Sequence, residues 1–157
     1  PSEKSYTEIL GFVRTEEVVY KGQRCVFLRA GTEHHSMALI PVALRETLGL
    51  SGHTSNMAVG LELGSYDQLR NAVAHLRQAG ARFVDMPAEL SPGIDYCTHI
   101  QDHDGHCLQL YYYMEQIGWD GKPRPAAMRR PVAKDWPEVL GPMSDTYSDQ
   151  SYLGPLG

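Results

Sequence analysis

Asp102-His103-Asp104-Gly105-His106-Cys107-Leu108-Gln109-Leu110-Tyr111-Tyr112-Tyr113-Met114-Glu115 is the stretch from which the fold is read. Asp-x-Asp-Gly is a turn signal, because Asp bonds its own backbone and Gly supplies positive φ. The residues after it alternate. Leu108, Leu110 and Tyr112 share one face, and Cys107, Gln109, Tyr111 and Tyr113 share the other. The first face suits a core. The second carries a thiol, an amide and two phenols, which suits a pocket wall, although an ordinary solvated face alternates in the same way.

Upstream, the clearest element is a helix over 65–79. Ser65 and Gln68 form a capping box. Leu69, Ala72, Val73 and Leu76 make one apolar stripe, and Gly80 ends it. Before it, 56–63 reads as a strand in which Met57, Val59, Leu61 and Leu63 alternate with Asn56, Ala58, Gly60 and Glu62. Strands follow near 82–84 and over 96–101, with a loop at 87–93. The N-terminal half reads as a short helix over 2–9 stopped by Gly11, then strands over 12–19, 24–29 and 35–40, with Lys21-Gly22 turning the first pair. Residues 42–54 are a linker with one helical turn at 43–48.

The two halves repeat. A shift of 71 residues lays strand 24–29 on 95–100 and His35–Leu39 on His106–Leu110. An internal repeat of this kind implies paired modules. The second half carries an opening strand, 56–63, with no counterpart in the first, since the chain opens at Pro1 already in the helix. The first strand of module 1 is therefore expected to be missing from the chain, or to be supplied by another.

At 157 residues the chain is long enough for a sizeable core, and its 42% apolar and 21% charged content is that of a globular protein. A formal charge of −5 argues against nucleic acid as a partner. No apolar run reaches the length of a membrane span and no signal peptide is visible, so neither a membrane partner nor export is expected and the location is read as cytoplasmic. Cys25, Cys97 and Cys107 lack CxxC spacing and read as buried free thiols. From Gly118 to Pro125 the chain is rich in Pro and Gly. Trp136-Pro137 and Tyr152-Leu153-Gly154-Pro155 add apolar anchors, so 120–157 is expected to be an extended tail wrapping the domain or a neighbour.

Tyr6-Thr7-Glu8-Ile9-Leu10-Gly11-Phe12 resembles a "FYTEVLGF" motif. Phe27-Leu28-Arg29 with His34-His35-Ser36-Met37-Ala38-Leu39 resembles "FLR…HHDIAL", and Asp102 to His106 resembles "DPDGH". In this order the motifs resemble the vicinal oxygen chelate superfamily of glyoxalases, bleomycin-resistance proteins and type I extradiol dioxygenases. The likeness runs over residues 1 to about 119 and is nearest to catechol 2,3-dioxygenase-like domains. It implies an α+β fold in which paired βαβββ modules, about 1–41 and 55–115, form a curled mixed sheet around a cleft. It also implies a homodimer acting on a small aromatic or oxygenated molecule.

The resemblance further implies a site. Extradiol enzymes hold Fe(II) with two His and one carboxylate. Asn56 and Gln109 stand at two of those ligand positions, and neutral amides are poor donors to a divalent metal. No tightly bound cofactor is therefore expected, with Fe(II) or another divalent metal the cofactor if the family function is retained. His35 matches a general acid/base, a proton shuttle with a pKa near neutrality. His99 stands where the family places a substrate-contacting Tyr. Met37, Ala58, Cys97 and Tyr111 would contact substrate. His34, His53, His75, His103 and His106 read as surface or turn residues. Two functions follow: a ring-cleaving dioxygenase or glyoxalase-like enzyme, or a metal-free binding protein of the bleomycin-resistance kind.

Overall fold

A computed structural model describes residues 2–50, 56–103, 105–118, 120–125, 127 and 136–141. The expectations for His53 and for Tyr152 to Pro155 lie outside these residues.

Among the described residues, seven strands form two sheets in an α+β fold. The first sheet is antiparallel, in the order β1 (Val13–Tyr20), β2 (Gln23–Arg29) and β3 (Met37–Leu39). Lys21 and Gly22 both take positive φ, 47° and 73°. That is the backbone a two-residue hairpin turn requires. A short helix, α1 (Ala43–Thr47), follows with Leu44 buried beneath it.

The second sheet is mixed, in the order β4-β7-β6-β5. Here β4 is Val59–Glu62, β5 Arg82–Val84, β6 Ile94–Gln101 and β7 Cys107–Met114. β4 runs parallel to β7, and the other neighbours are antiparallel. Parallel neighbours need a crossover, so β4 leads into helix α2 (Tyr66–Gln78), which delivers the chain to β5 at the far edge. This is the strand–helix–three-strand order expected for module 2. Among the described residues no strand bridges β3 and β4, so two sheets are seen rather than one curled sheet.

The 71-residue offset survives in space. It carries Gln23, the start of β2, onto Ile94, the start of β6, and Met37 of β3 onto Leu108 of β7. The halves differ at their first hairpin. β1 and β2 join through two residues, whereas β5 is short and a loop holding one 3-10 turn, Ala88–Leu90, leads to β6.

Helix α2 follows its sequence signals closely. Ser65 Oγ accepts from the Gln68 amide at 3.1 Å. The reciprocal arm is displaced by one residue: Gln68 Oε1 accepts from Gly64 N, at 3.0 Å, and not from Ser65 N. At the other end Gly80 N bonds Arg77 O and Ala81 N bonds Leu76 O, with Gly80 at φ 73°. This paired closure with a left-handed glycine is a Schellman motif. By contrast, residues 2–9 are only one α-turn followed by a π-helical turn over Ser5–Ile9. Leu10 N reaches back five residues to Ser5 O before Gly11 reverses the chain.

Two main cores result. Leu69 and Val73 of α2 pack with Tyr66, Tyr96 and Leu110, and Leu76 joins only at the edge. Tyr66 meets Tyr96 edge-on with centroids 4.9 Å apart. Such a contact adds about 0.5–1.5 kcal/mol beyond the area buried. Trp136 and Leu140 cover this core from the tail, and Tyr66 donates its hydroxyl to Pro137 O. The second core joins the halves. Cys25, Phe27 and Leu44 from the first meet Leu90, Met57 and Met86 from the second. Cys25, Cys97 and Cys107 are all buried and free.

Val59 and Leu61 of β4 are 46% and 45% exposed, because β4 is an edge strand whose outer face no described element covers.

Candidate functional site

A cleft of about 1180 Å³ is lined by both halves. Strand register explains which side chains share it. Gly60 pairs with Gln109, and Gln109 pairs with His99, so the three form one row across the second sheet. Glu62, Tyr111 and Cys97 form the next row. Side chains in a row stand on the same face. His99, Gln109, Tyr111, Gly60 and Glu62 all line the cleft, with Asn56, Met57 and Ala58 from the segment leading into β4. From the first half His35, Met37 and Leu39 also line it.

Cys97 lies one layer deeper. It is buried, packed with Ile94, Met114 and Tyr111, and accepts from Gln109 Nε2 at 3.8 Å. Burial pushes its thiol up to about 11, so it is a thiol and not a thiolate at neutral pH. Gln109 Nε2 also donates to Ser91 Oγ at 3.2 Å. With its amide NH₂ so engaged, the Gln109 carbonyl oxygen is turned toward Gly60, where a Cβ would stand 3.4 Å from it.

Alternation breaks near the end of β7. Tyr113 has φ 79°. Before it, Leu110 and Tyr112 face helix α2. After it, Met114 joins Tyr111 and Cys97 on the other side and reaches the cleft. Strict period-two reading puts Met114 on the wrong face, and nothing in a Tyr-Tyr-Tyr run marks the reversal.

The histidines depart most from expectation. His34 is not a surface residue; it is fully buried. Its Nε2 lies 2.9 Å from Glu16 Oε2 and its Nδ1 lies 3.0 Å from His35 Nδ1. Its backbone N–H donates to Glu115 O at 2.8 Å. Gly93 covers the ring so closely that a Cβ there would stand 2.2 Å from His34 Cγ. The cue available in the sequence was Glu16, a carboxylate inside strand β1 whose inward side needed a partner. Burial holds His34 down at about 4. His35 falls further, to about 3, through burial first and then the neighbouring His34. The near-neutral titration expected of His35 is therefore corrected: desolvation penalises the cation, and the ring is neutral at pH 7. His99 is likewise held at about 4 by burial. Tyr111 is raised, by burial first and then by the charges of Glu62 and Glu33.

The donors that line the cleft among the described residues do not fit a divalent metal. Among the described residues, no group of three or more His, Cys, Asp or Glu side chains is placed to hold one. Gln109 commits its amide to Ser91 and Cys97, and Asn56 is a second neutral amide. Fe(II) and Mn(II) sites use imidazole and carboxylate. No helix of the described residues is long and apolar enough to cross a membrane.

The chain is similar in fold to 2,2',3-trihydroxybiphenyl 1,2-dioxygenase from Sphingomonas wittichii strain RW1, at 24% identity and TM-score 0.62, covering 74% of this chain and 39% of that one. It is similar to the 2,3-dioxygenase LapB from Pseudomonas sp. KL28, at 16% identity and TM-score 0.57, covering 78% and 41%. The Mn(II)-bound glyoxalase from Novosphingobium aromaticivorans matches at 18% identity and TM-score 0.53, covering 75% and 35%. The chain thus spans well under half the length of these structures. No curated protein matches it. The family model for the Glyoxalase/Bleomycin resistance protein/Dioxygenase superfamily matches residues 2–110, and the chain belongs to that superfamily.

Proposed function

We propose that the protein is an extradiol-dioxygenase- or glyoxalase-like member of its superfamily whose cleft takes a small aromatic or oxygenated compound without a tightly held metal. The observation that supports this most is the lining. Met37, Met57, Ala58 and Leu90 offer apolar surface, while His35, His99, Gln109 and Tyr111 bring a few polar groups together. Small-molecule sites combine those two features.

In this reading Met37, Ala58 and Tyr111 contact the ligand and Cys97 backs Tyr111. His35 and His99 are the groups available for proton transfer, each neutral at pH 7 and so able to accept. Asn56 hydrogen-bonds a hydroxyl or carbonyl, and Gln109, its NH₂ engaged by Ser91 and Cys97, accepts from a hydroxyl, where relatives would place metal ligands. Ring cleavage is the second reading, favoured by the fold shared with two dioxygenases. The expected homodimer and cytoplasmic location, and a sheet that curls about the ligand, belong to the same proposal.

A thermal-shift screen of catechols, quinones and 2-oxoaldehydes tests it. A ligand at about 100 Kd should stabilise the fold by about 2.7 kcal/mol, and Tyr111→Ala should weaken the response. If no compound shifts the midpoint, the binding reading fails. Ring-cleaved product from catechol with added Fe(II) would replace it with the enzymatic one.

A further inference from the structure

Glu16, His34 and His35 form a chain that runs from strand β1 to the cleft wall. Glu16 Oε2 meets His34 Nε2 at 2.9 Å, and His34 Nδ1 meets His35 Nδ1 at 3.0 Å. The link in the middle is fully buried, while the Glu16 side chain is 12% exposed. We infer that Glu16 and His34 are positioning residues that hold His35 as its Nδ1–H tautomer and leave Nε2 as a hydrogen-bond acceptor for a donor-bearing ligand.

The reasoning is a count of protons. A neutral imidazole carries one N–H and one bare nitrogen. Both rings are neutral at pH 7 because burial disfavours their cations. An ionised Glu16 is an acceptor only. The 2.9 Å contact therefore needs the proton of His34 on Nε2, which leaves His34 Nδ1 bare. The 3.0 Å contact then needs a proton on Nδ1 of His35. That ring has one proton to give, so its Nε2 is bare. The opposite assignment would set a bare His34 Nε2 against a carboxylate, two acceptors face to face, inside a dry site where such an error is costly.

Packing keeps the rings in this arrangement. Gly93 presses on His34, the backbone of His34 is tied to Glu115, and Phe27 stands edge-on to His35 with centroids 4.9 Å apart. His35 lines the cleft, and among the described residues its ring hydrogen-bonds through Nδ1 and not through Nε2. A ligand hydroxyl or amine satisfies that nitrogen; an ether or carbonyl oxygen does not. This ligand preference rests on the binding reading above, whereas the tautomer does not.

Two-bond ¹⁵N–¹H NMR of the ring nitrogens, on ligand-free protein at pH 7.5, reads each tautomer directly. Wild type should show His34 protonated on Nε2 and His35 on Nδ1. Glu16→Gln keeps a carbonyl acceptor and should preserve both. Glu16→Leu should remove the bias and populate the Nε2–H form of His35. A wild-type His35 protonated on Nε2 overturns the inference, and so does a folded Glu16→Leu protein that keeps the Nδ1–H form. If Glu16→Leu does not fold, the wild-type and Glu16→Gln spectra decide. A thermal-shift pair, catechol against 1,2-dimethoxybenzene, then tests the preference: stabilisation by catechol alone is expected, and equal stabilisation by both overturns it. No shift with either compound counts against the binding reading and leaves the tautomer result standing.

Discussion

Gln109 donates through Nε2 to Ser91 Oγ at 3.2 Å, so a residue of the β5–β6 loop orients the amide at the centre of the cleft. The direction matters, because it presents a carbonyl oxygen, and no charge, beside Gly60.

Metal content follows from that amide. Wild-type protein dialysed against Fe(II) or Mn(II) should retain no stoichiometric metal by elemental analysis. Gln109→Glu combined with Asn56→His should retain more, since it restores a carboxylate and an imidazole. Stoichiometric metal in wild type, lost in Asn56→Ala, would overturn the argument from the donors.

Helix α2 should be anchored by Leu69 more than by Leu76. Leu69 is fully buried, whereas Leu76 sits at the edge of the same core. Leu69→Ala should cost about 2–5 kcal/mol in urea unfolding, the range for buried leucines, and Leu76→Ala distinctly less. Equal losses would contradict the packing.

Ser65→Ala removes the oxygen that caps Gln68 N. Loss of such a cap costs about 1 kcal/mol. Because Gln68 reaches back to Gly64 and not to Ser65, Gln68→Ala should add its own loss nearly independently. A double-mutant cycle checks this, and strong coupling would mean a reciprocal box after all.

Gly93→Ala should be among the most damaging single substitutions. The residue has φ 74°, and a Cβ would stand 2.2 Å from His34 Cγ. Overpacking alone typically costs about 1–3 kcal/mol, and the left-handed backbone adds to it. A change under about 0.5 kcal/mol, the range of ordinary surface substitutions, would mean that the ring moves freely.

Acid should weaken the fold before the carboxylates titrate. His34 and His99 are lowered from 6.5 to about 4. Between those values the unfolded chain binds more protons than the folded one, so stability is complete above pH 6.5 and falls as pH drops toward 4. Each such group contributes on the order of 1 kcal/mol per pH unit within the window. Urea midpoints from pH 7.5 to 4.5 should show this slope, reduced in His99→Gln. An unchanged slope would remove His99 from the account.

Much of this fold was legible because its signals are local. Ser65, Gln68, the Leu69–Leu76 stripe and Gly80 bound helix α2 by short-range chemistry, and the motif order through Asp102-His103-Asp104-Gly105-His106 placed the chain in its superfamily. The cleft row of Gln109 and His99 followed from alternation. What escaped depends on contacts distant in sequence. His34 looked like a turn residue because its partners, Glu16, Gly93 and Glu115, lie on three other segments. Val59 and Leu61 share a face by alternation yet stay half exposed, because alternation reveals a face and not what covers it. The low titration of His35 comes from burial that no single stretch encodes.

The reversed backbone at Tyr113 has a consequence for how the molecule unfolds. Leu110 and Tyr112 of strand β7 pack beneath α2, while Tyr111 and, past the reversal, Met114 pack on the other side, and Glu115 bonds Gly93 and His34. One continuous strand is thus mortised into two separate interiors. Neither interior can melt without pulling on the same eight residues, and just past the strand Glu115 ties them to His34 of the first half, so the two halves are expected to unfold in denaturant in a single transition.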